Sequence, residues 1–144
     1  MVRHLLDVNV WVALLDDAHV HNTQALALIE RPGLQIATCP LVENGVLRIL
    51  NLPRYGTYGP VGFDVVRTKM QLVCSDVDHV FWPDDISLRN TSAVNWTHVY
   101  GHNQITDLYL LALAVAHKGA LATFDHNIAL RAVTTAGKQH LVVL

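Results

Sequence analysis

Four carboxylates spread along the chain, Asp7, Glu43, Asp107 and Asp125, each fall where a strand should hand over to a helix. Acids are scarce here. Glu30 and Glu43 are the only glutamates in 144 residues, and charged residues make up 15%, against about a quarter in average domains. Asp7 closes the apolar run Val2–Leu6, and Asp125 closes Ala120–Phe124. Glu43 follows the strand-like Ile36–Leu41, while Asp107 opens the apolar segment Leu108–Lys118. In an open parallel sheet such positions meet at one edge, where ligands bind outside the carboxyl ends of the strands. Four acids meeting there repel one another unless divalent cations sit between them. The chemistry this suggests is metal-dependent attack on a phosphate ester.

The donor types narrow the metal. Asp7, Glu43, Asp107 and Asp125 offer oxygen alone, which suits Mg²⁺ or Mn²⁺. Such cations work singly or as a pair that clamps the attacking and leaving oxygens. Zinc would want Cys or His in tight spacing. The pairs His98/His102 and His19/His21 lack a third partner nearby and read as structural. Each acid also has a structural explanation of its own. Asp7 with Asn9 could cap a helix, and Asp107 could favour a helix N-terminus. Glu43 could be a solvated first-turn residue, and Asp125 could form an Asx-turn before Asn127. Four such junctions together favour a site.

Other phosphate and hydrolytic chemistries fit poorly. A haloacid-dehalogenase-like phosphatase needs a second Asp at the position of Asn9. A response-regulator receiver needs paired acids after the first strand and a Lys after the last. Neither GxxxxGK[ST] nor GxGxxG occurs, so no phosphate-cradling loop is expected, and GxSxG is absent as well.

The elements that must position these residues alternate. Strands are expected over Val2–Leu6, Gln35–Leu41, His79–Trp82, Leu121–Phe124 and His140–Leu144. Helices are expected over Val10–Leu15 with Asn9 as N-cap, His21–Glu30, Val42–Leu50, Asp64–Leu72, Ile105–Lys118 ended by Gly119, and Asn127–Ala132. Pro83-Asp84-Asp85 should end the third strand and cap a short turn through Leu88. Asn51–Pro60 reads as a Gly- and Pro-rich loop, and Arg89–His102 as irregular. This is the pattern of βαβ units around a parallel sheet covered on both faces, in a single domain spanning 1–144.

Bulk properties set the context. Half the residues are apolar (51%) and mean hydropathy is +0.28, so some apolar surface should remain for a dimer mate or a dedicated partner. A net charge of −2 argues against a broad electrostatic grip on nucleic acid, although seven arginines against three lysines leave room for a local patch. Cys39 and Cys74 show no metal or disulfide spacing and are expected as free thiols in a reducing cytosol. Neither a secretory signal nor a membrane-length apolar run is expected, which places the protein in the cytoplasm. Trp11, Trp82 and Trp96 read as core or interface residues.

The motifs Leu5-Leu-Asp7-Val-Asn9-Val, Glu43, Gly101-His-Asn-Gln-Ile-Thr-Asp107 and Ala122-Thr-Phe-Asp125 resemble, in order, those of PIN domains. With His79-Val-Phe-Trp-Pro-Asp84, the chain is similar more narrowly to VapC-type ribonuclease toxins of bacterial toxin–antitoxin systems. The resemblance implies a three-layer α/β/α sandwich with a central, mainly parallel sheet. It also implies Mg²⁺- or Mn²⁺-dependent endoribonuclease activity leaving a 5′-phosphate and a 3′-hydroxyl, a homodimer, and a cognate antitoxin. It carries Asp7, Glu43, Asp107 and Asp125 over as the catalytic, metal-binding acids. Asn9 stands where many relatives have Ser or Thr, and His126 where a basic residue often follows the last acid.

On this reading a metal-activated water attacks the phosphodiester, and Asn9, Asn103 and Thr123 orient acids or water. Arg54, Tyr55 and Tyr58 share one loop and are candidates for RNA contact, with His126, since aromatic rings stack on splayed bases. The same loop could instead pack on its own rings. The competing class is a catalytically weak binding module on the same fold, for RNA or protein.

Overall fold

The computed structural model describes residues 2–90 and 92–144. Of the stretch expected to be irregular, Arg89–His102, Thr91 lies outside the described residues. Short β-rich runs pair into one all-parallel, five-stranded sheet: β1 (His4–Leu6), β2 (Gln35–Thr38), β3 (Asp78–Phe81), β4 (Ala120–Thr123) and β5 (Leu141–Val143). The spatial order is β3-β2-β1-β4-β5, with Leu5 opposite Ala37 on one side and Leu121 on the other. The helices are α1 (Val8–Leu15), α2 (Asn22–Ile29), α3 (Pro40–Ile49), α4 (Phe63–Asp76) and α5 (Ile105–Ala116). Together they make the expected three-layer sandwich.

The sheet centre is apolar on both faces, as parallel strands require. Leu5, Leu6, Ile36, Leu121 and Ala122 are fully buried, as is Trp11 of α1. Helix α5 is buried almost all round through Leu108, Leu110, Leu111, Leu113 and Ala114. At about 25 cal/mol per Å² of apolar surface, this centre is what fixes the strand ends. Because chain order runs outward from β1 in both directions, the switch point lies between β1 and β4, and ligands of such sheets bind in that crevice. Asp7 and Asp125 follow these two strands.

Several boundaries differ from expectation, each for a local reason. Helix α1 begins at Val8, because Asp7 rather than Asn9 is its N-cap and accepts from the Val8 amide at 2.7 Å. Helix α3 begins at Pro40, whose fixed φ suits a first helical position, and so takes the last residues expected for β2. Asp84 does not cap a turn of its own; its carboxylate accepts from the Leu41 amide at the start of α3. Residues 127–132 form only a single 3₁₀ turn at Leu130–Ala132.

Helix α5 ends in paired bonds from Lys118 N to Val115 O and from Gly119 N to Ala114 O. The left-handed position of this motif is Lys118, at φ 58°, not the glycine. Gly119 serves close approach instead, since a Cβ there would lie 2.6 Å from Arg3 O and 2.7 Å from the Trp82 ring. Trp82 and Trp11 are buried, while Trp96 is 43% exposed. No helix among the described residues is long and apolar enough to cross a membrane.

Candidate active site

Thr123, the last residue of β4, organises the crevice. Its side chain is fully buried, and its hydroxyl donates to Asp7 Oδ2 at 2.8 Å. The same oxygen accepts from the Asp125 amide at 3.0 Å and from Asn9 Nδ2 at 3.3 Å. Asn9, in the first turn of α1, also accepts from the Phe124 amide through Oδ1. Asp125 is held by a bond from the Asn127 amide to its Oδ1 at 2.8 Å. That Asx-turn was one structural alternative for this acid, and it also aims the carboxylate. Asn9 and Thr123 therefore stand where orienting residues were expected.

Asp7 is 5% exposed. Burial pushes its carboxyl up, the Thr123 and Val8 donors pull it down, and the Asp125 charge pushes it up again. Asp107, in the first turn of α5, is pushed up to about 6 by burial, then by the charges of Asp7 and Asp125, and by a hydrogen bond with Asp125. Three acids from three elements thus share one electrostatic environment, which none could do without chain separated by a hundred residues folding back.

Glu43, the fourth acid expected, is not among the charges that raise Asp7 and Asp107. Its Oε2 accepts from the Thr38 hydroxyl at 2.8 Å, and that hydroxyl lies 2.8 Å from His79 Nε2. The β2–β3 side of the sheet holds this carboxylate. Its neighbour Asn44, a helical step away, faces the crevice. Asn103 is exposed in the 3₁₀ turn His102–Gln104 and makes no side-chain hydrogen bond to the acids. His126 is exposed beside Asp125.

The loop carrying Arg54, Tyr55 and Tyr58 lies elsewhere. Tyr55 Oη donates to Asp16 Oδ2 at 2.5 Å, at the C-terminal end of α1, roughly 12 Å of helix from Asp7. Burial and that carboxylate push the phenol well above its ordinary value. Tyr55 is thus a packed residue, while Tyr58 is 98% exposed. Tyr55 and Tyr58 line a separate cavity of about 470 Å³ with Asp16, Asp17 and Lys69.

The cavity at the acids is about 390 Å³ and is lined by Asp7, Asn9, Asp107 and Thr106 with His19, Asn44 and Arg48. Sequence reasoning missed the last three. The available signal was spacing, since Leu41, Asn44, Gly45 and Arg48 repeat at i, i+3, i+4 and i+7 and so share one face of α3.

Among the described residues, no three His, Cys, Asp or Glu side chains converge closely enough to cage an ion as they stand. The donor set nevertheless fits Mg²⁺ or Mn²⁺. Mg²⁺ is held by one or two carboxylates with water and substrate phosphate rather than by an all-protein cage. Asp7 and Asp107 line one cavity and repel each other, and a divalent cation relieves that repulsion.

Comparison with known proteins bears on this arrangement. Residues 4–133 match the PIN domain family. The chain is 40% identical over 147 residues to ribonuclease VapC44 of Mycobacterium tuberculosis, covering 99% of this chain and all of that one. It is 38% identical over 125 residues to ribonuclease VapC29 of the same organism, covering 87% of each. Among solved structures, the M. tuberculosis toxin VapC20, which cleaves the sarcin–ricin loop, superposes with a TM-score of 0.61 at 16% identity, over 86% of this chain and 91% of that one. The Rickettsia felis VapBC2 complex with promoter DNA gives 0.50 at 16% identity, over 87% and 89%. At such identity these structures speak for the fold.

Proposed function

The chain belongs to the PIN-domain family and, within it, to the VapC ribonucleases, and from that premise we propose that it is a metal-dependent endoribonuclease, the toxin of a toxin–antitoxin pair. The observation that carries the reading is the mutual repulsion of Asp7, Asp107 and Asp125 at the sheet's switch point. Asp7 and Asp107 would hold Mg²⁺ or Mn²⁺, with Asp125 completing the set. The bound ion supplies a water of lowered pKa and neutralises phosphate charge.

The remaining work falls to the chain's own groups. Thr123 and the Val8 amide fix both oxygens of Asp7, so its lone pairs face the cavity at little cost in reorganisation. Asn9 ties α1 to the end of β4 and holds Asp7 and Asp125 in register. A carboxylate must be ionised to bind the cation, and Asp107 is raised to about 6. Glu43, through its bond from Thr38, braces α3 against the end of β2. Arg54 and Tyr58 would reach only RNA that runs well beyond the cleft.

Partners fit the surface. Phe63, Val65 and Leu72 of α4 and Val80 and Phe81 of the edge strand β3 are exposed apolar residues. A homodimer mate and a cognate antitoxin are the partners proposed for such surface. The test is cleavage of tRNA and rRNA fragments by purified, antitoxin-free protein in Mg²⁺, Mn²⁺ or chelator, beside Asp107→Asn. Cuts that need the metal and vanish in the variant are expected. Folded protein that cuts nothing under any metal would leave a binding module as the better reading.

A further inference from the structure

The acids of this chain are unevenly placed. Ten of the twelve precede Ile86, and the other two are Asp107 and Asp125. Residues 86–106 and 126–144 therefore hold no acid, yet they carry Arg89, Arg131, Lys138 and four histidines. A net charge of −2 hides this local surplus, and it is the local charge that a polyanion meets. The fold joins the two segments. Val94 forms an antiparallel bridge with Val133, the Asn95 amide donates to Ala132 O at 2.9 Å, and the Thr134 amide donates to Ala93 O at 3.2 Å. The 3₁₀ turns Trp96–His98 and Leu130–Ala132 thus lie side by side.

Two adjoining cavities open on this seam. One, of about 350 Å³, includes Tyr100 and Ala129; the other, of about 320 Å³, includes Asn95 and Thr134. His98, Leu130 and Arg131 line both, and no acid among the described residues lines either. Arg131 is exposed and belongs to none of the ion pairs among the described residues, which use Arg3, Arg67 and His117. Tyr100 is 80% exposed, and Trp96 stands exposed on the neighbouring turn. His98 Nδ1 lies 3.3 Å from Tyr100 Oη, which steadies both rings.

Exposed apolar residues scattered singly need no explanation. Rings beside a free guanidinium are the combination that grips single-stranded nucleic acid, since the rings stack on bases and the guanidinium takes phosphate as a fork. The Arg54–Tyr58 loop has a similar composition, but Asp16 and Asp17 line its cavity and repel phosphate. The seam also reaches the acids. A small recess lined by Gln104, Asp107, Asn127 and Ala129 shares Asp107 with the acidic cleft and Ala129 with the Tyr100 cavity.

We propose that this seam is a second RNA-contact surface, outside the acidic cleft, on which two unstacked nucleotides of a single strand lie one in each cavity, with a base on the Tyr100 ring and the phosphate between them on Arg131. The assignment rests on the ribonuclease reading of the acids and adds to it a surface that selects RNA with an unpaired segment beside the cut.

The test is fluorescence anisotropy with a fluorescein-labelled, mixed-sequence single-stranded RNA decamer, on the full chain carrying Asp107→Asn so that nothing is cut. Adding Arg131→Ala should weaken binding roughly tenfold and lower the slope of log affinity against log salt by about 0.7, the share of one phosphate on a single strand. Arg131→Lys should keep the slope and lose part of the affinity, because a point charge replaces a fork. Tyr100→Ala should weaken binding roughly tenfold without changing the slope, and Tyr100→Phe should restore it because the ring survives. Unlabelled duplex RNA of the same sequence should compete poorly, since its bases are already stacked. In metal-competent protein Arg131→Ala should raise KM more than it lowers kcat. Circular dichroism and sedimentation velocity report the fold and oligomeric state of each variant.

Affinity and slope that neither Arg131→Ala nor Tyr100→Ala changes, or no binding of the decamer by the folded parent, overturns the proposal. So does a duplex that competes as well as the single strand. Variants that alter sedimentation and leave RNA affinity intact overturn it too, and make the seam an interface between copies of this chain. The two readings fail separately. Metal-dependent cleavage with unchanged KM in Arg131→Ala sinks the seam and keeps the nuclease, whereas binding that needs Arg131 and Tyr100 in a protein that cuts nothing keeps the seam and sinks the nuclease.

Discussion

Replacing Asp107 by asparagine should make the metal-free protein more stable at neutral pH, not less. Asp107 is an acid whose pKa rises on folding, from 3.8 to about 6. Between those values the folded protein keeps a proton that the unfolded chain has lost, so stability falls as pH climbs through this window. Above it, the full penalty of a buried charge facing Asp7 and Asp125 is present. A difference of about two units at 1.36 kcal/mol each sets an upper limit of about 3 kcal/mol. Asp107 is only half-buried, so solvent screening reduces this to roughly 1–2 kcal/mol. Asparagine removes the charge and keeps the shape and a hydrogen-bond donor towards Asp125.

For a chain of this size, about 3 °C accompanies each kcal/mol. Thermal melts in chelator at pH 7.5 should therefore place Asp107→Asn roughly 3–6 °C above the parent, with the gap closing near pH 4. Mg²⁺ should raise the parent by mass action and the variant much less. A variant that melts lower than the parent in chelator, or a gap that is the same at pH 4 and pH 7.5, would refute the electrostatic argument.

Three further outcomes follow from single contacts. Thr123→Val keeps the volume but strips the donor from Asp7 Oδ2 and the acceptor from the Asp125 amide; urea unfolding should show a loss of about 1.5–3 kcal/mol, and an unchanged midpoint would mean the hub is dispensable. Lys118→Gly should stabilise by about 0.5–1 kcal/mol, since it relieves a left-handed backbone at φ 58°; destabilisation would argue that the lysine side chain matters more than its backbone. Gly119→Ala should destabilise by roughly 1–3 kcal/mol, because its Cβ meets Arg3 O and the Trp82 ring; a neutral result would show that β1 can shift.

Much of the sheet, and the approach of Asp7, Asp107 and Asp125 to one crevice, were legible because both are written locally. A short apolar run ending in Asp reads as a buried strand reaching an edge, and Asp7, Asp107 and Asp125 each follow or open such a run. What was not legible depended on partners distant in sequence. Glu43 accepts from Thr38, whose hydroxyl also meets His79 on a strand 36 residues beyond Glu43. Tyr55 donates to Asp16, 39 residues earlier. Lys118 takes the left-handed position, and nothing near Gly119 in the sequence shows that Arg3 and Trp82 press against that glycine. Arg48 was visible as a basic residue, but its position beside the acids required knowing which face of α3 meets α1.

The most direct test of the central claim is Mn²⁺ binding, followed by electron paramagnetic resonance, on the same protein whose RNA cleavage is measured across one Mn²⁺ titration. The account predicts that cleavage rises as the bound-ion signal saturates, and that both are lost in Asp107→Asn. Cleavage that persists in chelator, or an ion signal that Asp107→Asn leaves intact, would contradict it.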